Sequence, residues 1–284
     1  MHKGELEEIM KLSCVLIEED NRSYFDNVFP NAIELTDSRV AVAAVDDDED
    51  VILGAISYKV VGYEYVIDWL FVEPQMRRQG IGTYMINQVL RAVVQSGEIL
   101  PVTAQFEFRE DDDLLHTFFL SCQIMTTTYS HERYYVSPEE IKASDALHRS
   151  VKAEHKIVQF FDQSENEQRI ILKFLSKQQT YTVLDYDKWK EECVPELCQC
   201  VFVNNNLVDL IFMRKLSNGN LELAYLYGKY PRGLIELLGS TVSKMEALFP
   251  GASLTFDAMS DESMQLAKRL FPKAKTAHIY EAEF

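Results

Sequence analysis

A short basic break between two apolar segments constrains the fold of this chain most. The segment before it, YEYVIDWLFVEP at residues 63–74, has the composition of a strand that Pro74 ends. The segment after it starts at Gly80, and its apolar residues fall four apart, as on one face of a helix: Ile81, Met85, Val89 and Val93. Arg77 and Arg78 lie in the break. The pattern therefore predicts a strand that enters a helix through a basic, glycine-containing turn.

Such a turn is suited to binding a phosphate group. The first N–H groups of a helix have no partner within the helix, and the helix dipole favours an anion there. Gly80 and Gly82 carry no Cβ, so a phosphate could approach the main chain closely. The dinucleotide pattern G-x-G-x-x-G fails at Met85, and the Gly-Lys-Ser/Thr of a P-loop is absent. The spacing that remains is Arg-x-x-Gly-x-Gly, beginning at Arg77.

This spacing, within IDWLFVEPQMRRQGIGTYMINQVL at residues 67–90, resembles the acyl-CoA pyrophosphate motif of the GNAT superfamily of acyl-CoA-dependent N-acyltransferases. The resemblance implies acetyl-CoA as the cosubstrate. It also implies a strand that splays from its neighbour and holds the pantetheine arm through the main chain of Leu70, Phe71 and Val72. The residues implied around the pyrophosphate are Arg77, Arg78, Gln79, Gly80, Ile81, Gly82 and Thr83.

The catalytic part of the resemblance is less complete. Many members of the family carry Asn-x-x-Ala-x-x-Phe-Tyr on the next helix, where the tyrosine donates a proton to the departing thiolate. The matching stretch here is DDLLHTFF, residues 112–119, so Asp112 replaces the asparagine and Phe119 replaces the tyrosine. Phenylalanine has no hydroxyl proton to donate. Another group or water would have to serve, or catalysis would be weak or absent.

Asp68, just before the implied pantetheine segment, is the candidate catalytic residue. It could remove a proton from the attacking amine or bind the acceptor, and a carboxylate paired within the sheet is an equal alternative. Alternation along the strand would place Asp68 on the face of Leu70 and Val72, opposite Trp69 and Phe71. Several other polar candidates have packing or half-exposed alternatives: His116, Tyr129, His131, Tyr134 and Tyr135.

The pattern of elements repeats along the chain. The first half is typical of a helix around residues 5–19, a hairpin at 39–61, the strand and helix above, a strand at 101–108, a further helix, and a hairpin turning near His131. After a connecting helix at 137–150, the second half repeats hairpin, strand, helix, strand, helix. We therefore predict an α/β (α+β) protein of two tandem GNAT-like domains, each a mixed, mostly antiparallel sheet flanked by helices.

The two predicted domains differ at the basic break. The first, residues 1–136, would bind acetyl-CoA, and residues 137–150 would link it to the second, residues 151–284. Where the first has EPQMRRQGIG, the second has GKYPRGLIELLG. Because this copy lacks the arginine–glycine spacing, we expect no CoA in it.

Composition argues against nucleic-acid binding, membrane association and metal binding. The formal net charge of −17 argues against binding nucleic acid, which needs a basic surface. The charged N-terminal sequence MHKGELEEIM has no secretory h-region, and no apolar run approaches the roughly 18 residues of a membrane span, so we expect a cytoplasmic protein with no membrane partner. Cys193, Cys198 and Cys200 lie close together, but no second ligand pair follows at zinc-like spacing, so no metal is expected.

The predicted function is therefore that of an N-acetyltransferase. It would transfer an acetyl group from acetyl-CoA to a primary amine, and the acidity of the chain favours a cationic acceptor, either a small molecule or a lysine side chain. The alternative is a non-catalytic acyl-CoA-binding sensor or protein-interaction module, which the absence of the tyrosine would favour.

Overall fold

A computed structural model of the chain describes residues 11–108, 114–122, 126–148, 155–177, 190–204, 206–216 and 218–284. The chain divides into two compact units, one formed by residues 131–278 and the other by residues up to 130 together with 279–284. Each unit is a mixed, mostly antiparallel sheet with helices, which confirms the predicted fold class. The units thus change at residues 130/131 and 278/279, whereas the predicted domains are residues 1–136 and 151–284.

The first unit contains the strand–helix break. Its strands are β1 (Leu12–Leu16), β2 (Arg39–Asp46), β3 (Val51–Val61), β4 (Glu64–Val72), β5 (Val102–Phe108), the first five residues of β6 (Thr126–Val136) and the end of β12 (Lys275–Glu283). Its helices are α1 (Ile81–Ser96) and α2 (Leu114–Ser121). The strands from β1 to β4 pair antiparallel in chain order, β5 lies parallel to β4, and β12 lies next to β5.

Apolar side chains pack on both faces of this sheet. The amphipathic run forms α1 as predicted, and its buried residues Ile81, Met85 and Val89 pack in one core cluster with β-strand residues such as Ile56. Gly97, in the left-handed conformation at φ 76°, ends the helix. A second cluster on the sheet joins buried residues of β2 and β3 to the segment before β2: Phe25, Val28, Phe29, Ala41, Ala43 and Ala55.

The second unit repeats the predicted order of elements. It contains the rest of β6, then α3 (Pro138–Ala143), α4 (Asp145–His148), β7 (Lys156–Gln159), α5 (Glu165–Ser176), β8 (Gln199–Val203), β9 (Asn206–Lys215), β10 (Leu221–Gly228), α6 (Pro231–Leu248), β11 (Leu254–Ala258) and α7 (Asp261–Leu270). The sheet order is β6-β11-β10-β9-β8-β7, and only β10 and β11 among these described pairs are parallel. The hairpin, strand, helix, strand, helix pattern is thus confirmed from β8 to α7.

Three local predictions are wrong. Leu12–Leu16 is a strand paired with β2, although its apolar spacing also suits a helix, and the earlier part of that predicted helix lies outside the described residues. The stretch around His131 is one continuous strand, since this residue is buried and the five residues after it pair with β11. The connecting helix divides at Ser144 into α3 and α4. β7, α5 and β12 were not predicted.

Candidate functional site

The strands β4 and β5 pair only at their start. Three pairs of residues are in parallel register: Tyr65 with Val102, Val66 with Thr103, and Ile67 with Ala104. β4 continues to Val72, so beyond Ile67 its edge has no ladder partner in β5. This is the splay that the resemblance implies, and it leaves the edge of β4 after Ile67 without a β5 partner, so that main-chain groups of Leu70 and Phe71 on this edge could hydrogen-bond an extended amide-containing ligand.

A β-bulge begins at the point where the two strands separate. Against β3, Ile67 pairs with Tyr58 but Trp69 pairs with Ser57, so Asp68 is an extra residue in β4. The bulge changes the alternation of side chains. Ile67 and Leu70 pack in the same cluster as α1, whereas Trp69 and Phe71 pack in the cluster on Phe29.

The predicted orientation of Asp68 is therefore wrong. Its carboxylate contacts Arg39 and Ser57, and Ser57 lies opposite Trp69, so Asp68 shares the face of Trp69 instead of that of Leu70. The Arg39 Nε and Nη2 atoms donate to Oδ2 at 3.1 and 2.6 Å, and Ser57 Oγ donates to Oδ1 at 2.6 Å. Lys59 Nζ lies 3.5 Å from Oδ2. Both oxygens are thus held by donors, which is the ion-paired alternative and a poor arrangement for accepting a proton.

The turn after β4 leaves the start of α1 open. Arg78 and Gly80 both have positive φ angles, 64° and 83°, and a Cβ on Gly80 would meet no atom within 4 Å. No side chain caps the helix, and its first hydrogen bond runs from the Tyr84 N–H to the Gly80 carbonyl. Within the described ranges, the N–H groups of Ile81, Gly82 and Thr83 therefore have no acceptor. Three free N–H groups at a helix start form an anion site.

The two arginines of the turn are not equivalent. Arg77 Nε donates to the Val72 carbonyl at 3.1 Å, and its guanidinium lies 5.9 Å from the centre of the Phe71 ring. Arg78 is exposed and makes no contact of this kind with any part of the chain that the structure describes. Gln79 has only a weak contact, 4.0 Å from its Nε2 to Met76 Sδ. Arg78 is therefore the cation best placed to reach an added phosphate.

Gly82 faces a packed side chain as well as the helix start. A Cβ there would lie 2.8 Å from Cε2 of Phe118 on α2, so the missing side chain allows the two helices to approach. Ile81 is buried, and Thr83 Oγ1 lies 3.6 Å from Cys122 Sγ. Of the two glycines, only Gly80 faces open space.

Phe119, which stands at the position of the expected proton donor, packs in the core. Phe119 is 4% exposed, and its ring centre lies 4.7 Å from that of Phe106. Asp112 lies outside the described residues. Tyr280, which the sequence did not single out, brings a phenol to this end of the sheet: its ring is 5.7 Å from that of His116 and 5.9 Å from that of Phe106. Apolar and polar residues alternate in HIYEAEF, at the end of the chain, and this pattern indicates the strand that carries Tyr280.

The remaining candidates are mostly packing residues. His131 is 3% exposed beside Asp257, with 3.3 Å from its Nε2 to Oδ2, and Tyr134 is stacked on Phe256. The three clustered cysteines are buried. Across the described ranges, no group of three or more His, Cys, Asp or Glu side chains is arranged to hold a metal ion, and no helix has both the length and the apolar content to cross a bilayer.

Comparison with known proteins agrees with this geometry. Residues 6–107 match the family model described as "Acetyltransferase (GNAT) family". No curated protein sequence matches the chain. Among solved structures, a tandem GNAT protein from the clavulanic acid biosynthesis pathway matches with a TM-score of 0.61 at 12% identity, covering 96% of this chain and 98% of that one. A GCN5-related N-acetyltransferase from Sphaerobacter thermophilus matches with a TM-score of 0.61 at 11% identity, covering 98% and 97%.

A third match comes from a longer protein. It is the GCN5-related glucosamine N-acetyltransferase region of a fungal multi-domain GH3 beta-N-acetylglucosaminidase, with a TM-score of 0.67 at 12% identity. The match covers 97% of this chain, which spans only 38% of the fungal chain. At such identities these likenesses establish the fold, which is that of tandem GNAT proteins along almost the whole chain.

Proposed function

We propose that this tandem GNAT protein, whose residues 6–107 match the acetyltransferase family model, binds acetyl-CoA in its first unit and transfers the acetyl group to a primary amine. One observation carries the proposal: the unpaired edge of β4 leads directly into free N–H groups at the start of α1 beside the exposed Arg78. An edge that can pair with an amide chain and an adjacent anion site match the two parts of a pantetheine–pyrophosphate ligand.

The proposed cosubstrate contacts follow this geometry. The main chain of Leu70, Phe71 and Val72 would pair with the pantetheine arm. The N–H groups of Ile81, Gly82 and Thr83 would bind the pyrophosphate, Gly80 would leave room for it, and Arg78 would add a charge-assisted contact. Arg77, tied to the Val72 carbonyl, would hold the end of β4 in place. Gln79 would border the phosphates, whereas Ile81 and Gly82 would act through their main chain alone.

The chemistry needs few protein groups. The neutral amine attacks the thioester carbonyl carbon, a C–N bond forms, the C–S bond breaks, and the amine loses a proton while the thiolate gains one. Main-chain N–H groups at the bulge can stabilise the oxyanion of the intermediate. With Phe119 in the core, water or the phenol of Tyr280 would supply the thiolate proton.

We assign Asp68 a positioning role. Its bonds to Arg39 on β2 and Ser57 on β3 tie the bulge to two neighbouring strands. In Asp68→Asn, kcat should fall less than 10-fold with an unchanged pH–rate profile, because the amide keeps the shape. A catalytic base would instead cost about 10²–10⁴-fold and remove the limb of the profile that reports it.

The acceptor is proposed from charge. A chain with a formal charge of −17 attracts cations, so a polyamine, an aminoglycoside-like amine or a lysine side chain is the expected class, and a cytoplasmic location would suit it. The test is titration calorimetry with acetyl-CoA, followed by mass-spectrometric detection of acetylated products from a panel of such amines. Saturable binding and an acetylated product are expected. Absence of acetyl-CoA binding at millimolar concentration would contradict the proposal.

A second candidate function is favoured by the burial of Phe119. A non-catalytic acyl-CoA-binding module would need the same open helix start but no proton donor. The same experiment separates the two: binding without turnover of any amine would favour the sensor, and turnover would favour the enzyme.

A further inference from the structure

The second unit has a carboxylate at the start of its equivalent helix. Asp209 on β9 is fully buried, and its Oδ1 accepts hydrogen bonds from the main-chain N–H groups of Lys229 and Tyr230 at 3.0 and 3.1 Å. These two residues connect β10 to α6, which begins at Pro231. Asp209 is thus the acceptor for the Tyr230 N–H and shares the Lys229 N–H with the Val208 carbonyl, which lies 2.9 Å from that nitrogen.

The first turn of α6 closes around this side chain. A Cβ on Gly233 would lie 2.3 Å from Oδ2 of Asp209, so only glycine fits at that position. Glu236, one turn further along, is buried too, and its Oε2 lies 3.2 Å from Nδ1 of His155. The His155 ring in turn packs at 5.9 Å against that of Tyr230. The start of α6 is thus filled with side chains and already holds anionic groups.

Strand register identifies the equivalent position in the first unit. Asp209 pairs with Gly228, the last residue of β10, and Gly54 pairs with Val72, the last residue of β4. The bulges support this correspondence, because the extra residues Asp68 and Ala224 each stand four before those strand ends. The first unit therefore has a glycine, with no side chain, where the second has an aspartate.

We infer that Asp209 takes the place of a cofactor phosphate in the second unit and closes that unit to CoA, so that each chain binds one CoA molecule. The inference rests on the proposed function of the first unit. The carboxyl group fills the helix start from within the chain, and its Oδ1 accepts the Tyr230 N–H bond that a phosphate oxygen would otherwise accept. An incoming phosphate would meet a second, like charge in a space without room for it.

The first experiment is titration of the full chain with acetyl-CoA, with Arg78→Ala and Arg232→Ala as a matched pair. Both arginines are exposed and near a helix start, one in each unit. One equivalent is expected, weakened by Arg78→Ala and unchanged by Arg232→Ala. Two equivalents, or one equivalent weakened only by Arg232→Ala, would overturn the inference. No binding at all would instead overturn the proposed function.

The second experiment removes the carboxylate and asks whether a free anion replaces it. Asp209→Gly should lower the melting temperature, and formate or inorganic phosphate should raise it by several degrees more than in the wild type. A folded Asp209→Gly with no extra response to either anion would overturn the inference. If that variant does not fold, Asp209→Asn decides: its melting temperature should lie below that of the wild type at about pH 4 and approach it as the pH rises, and equal melting temperatures already at about pH 4 would overturn the inference.

Discussion

The two units keep the same strand geometry but differ in the connection to the helix. β10 pairs with β11 through three residues only, Leu221 to Leu223, and has a bulge next to them, as β4 does against β5 and β3. In the first unit, residues 73–80 connect β4 to α1; in the second, only residues 229 and 230 connect β10 to α6. The two units therefore share the splayed strand pair and differ in the connection that leads from it to the helix.

The bulges of β4 and β10 differ in whether the extra residue carries a carboxylate. β10 forms its bulge with Ala224 as the extra residue, so the backbone distortion does not need a carboxylate. Asp68 and its partners Arg39 and Ser57 are an addition of the first unit. The positioning role proposed for Asp68 is therefore to tie the bulge to its neighbouring strands, since a bulge forms in β10 without a carboxylate.

The largest expected effect comes from Gly54→Ala, which places a side chain where the second unit has one. The added Cβ would lie 2.4 Å from the Phe71 carbonyl oxygen, and backbone cannot move aside cheaply. We expect a loss of about 3 kcal/mol in the free energy of unfolding, measured by urea denaturation. Gly80→Ala is the control, with only about 1 kcal/mol from its positive φ and no clash. Equal losses of unfolding free energy in Gly54→Ala and Gly80→Ala would contradict the clash expected at Gly54.

Arg78→Ala should have the next largest effect, on binding instead of stability. Removing a charge-assisted contact to phosphate costs about 1.5–3 kcal/mol, so the affinity for acetyl-CoA should fall about 10–150-fold in calorimetry. Arg77→Ala should weaken binding less, since its Nε is engaged by the Val72 carbonyl. An Arg77 effect larger than the Arg78 effect would reverse the assignment of the two arginines.

Gly82→Ala tests whether this glycine serves packing. The Cβ would push on the ring of Phe118, for a cost of about 1–2 kcal/mol in unfolding free energy. The double variant Gly82→Ala with Phe118→Leu should recover much of that loss, because the shorter side chain leaves room. Weak acetyl-CoA binding by the double variant despite recovered stability would instead support the original phosphate-access interpretation.

Sequence alone predicted the elements whose signals are local. The hairpin of β2 and β3 and the helix from Gly80 both depend on residues close together in the chain. It failed where partners are distant: β12 joins the first unit through contacts such as the Phe284 N–H with the Val102 carbonyl. Sequence alone also predicted the wrong orientation for Asp68, because a single bulge moves its side chain to the other face of the sheet. It did not identify Asp209, because the helix that this residue contacts begins 22 residues later and leaves no local pattern around it.

The smallest expected effect is a pH dependence confined to the second unit. Burial of the Asp209 carboxyl, with Glu236 near it, raises its pKa above the ordinary value, although the N–H groups of Tyr230 and Lys229 and the charge of His155 oppose this. Because the folded pKa exceeds the unfolded one, the contribution to stability is full below pH about 4 and is lost as the pH rises through the folded pKa. The stability advantage of the wild type over Asp209→Asn should therefore shrink with rising pH in urea denaturation. An advantage that grows with pH would contradict this, because it would mean that the two N–H donors outweigh burial and lower the pKa of Asp209 in the folded chain.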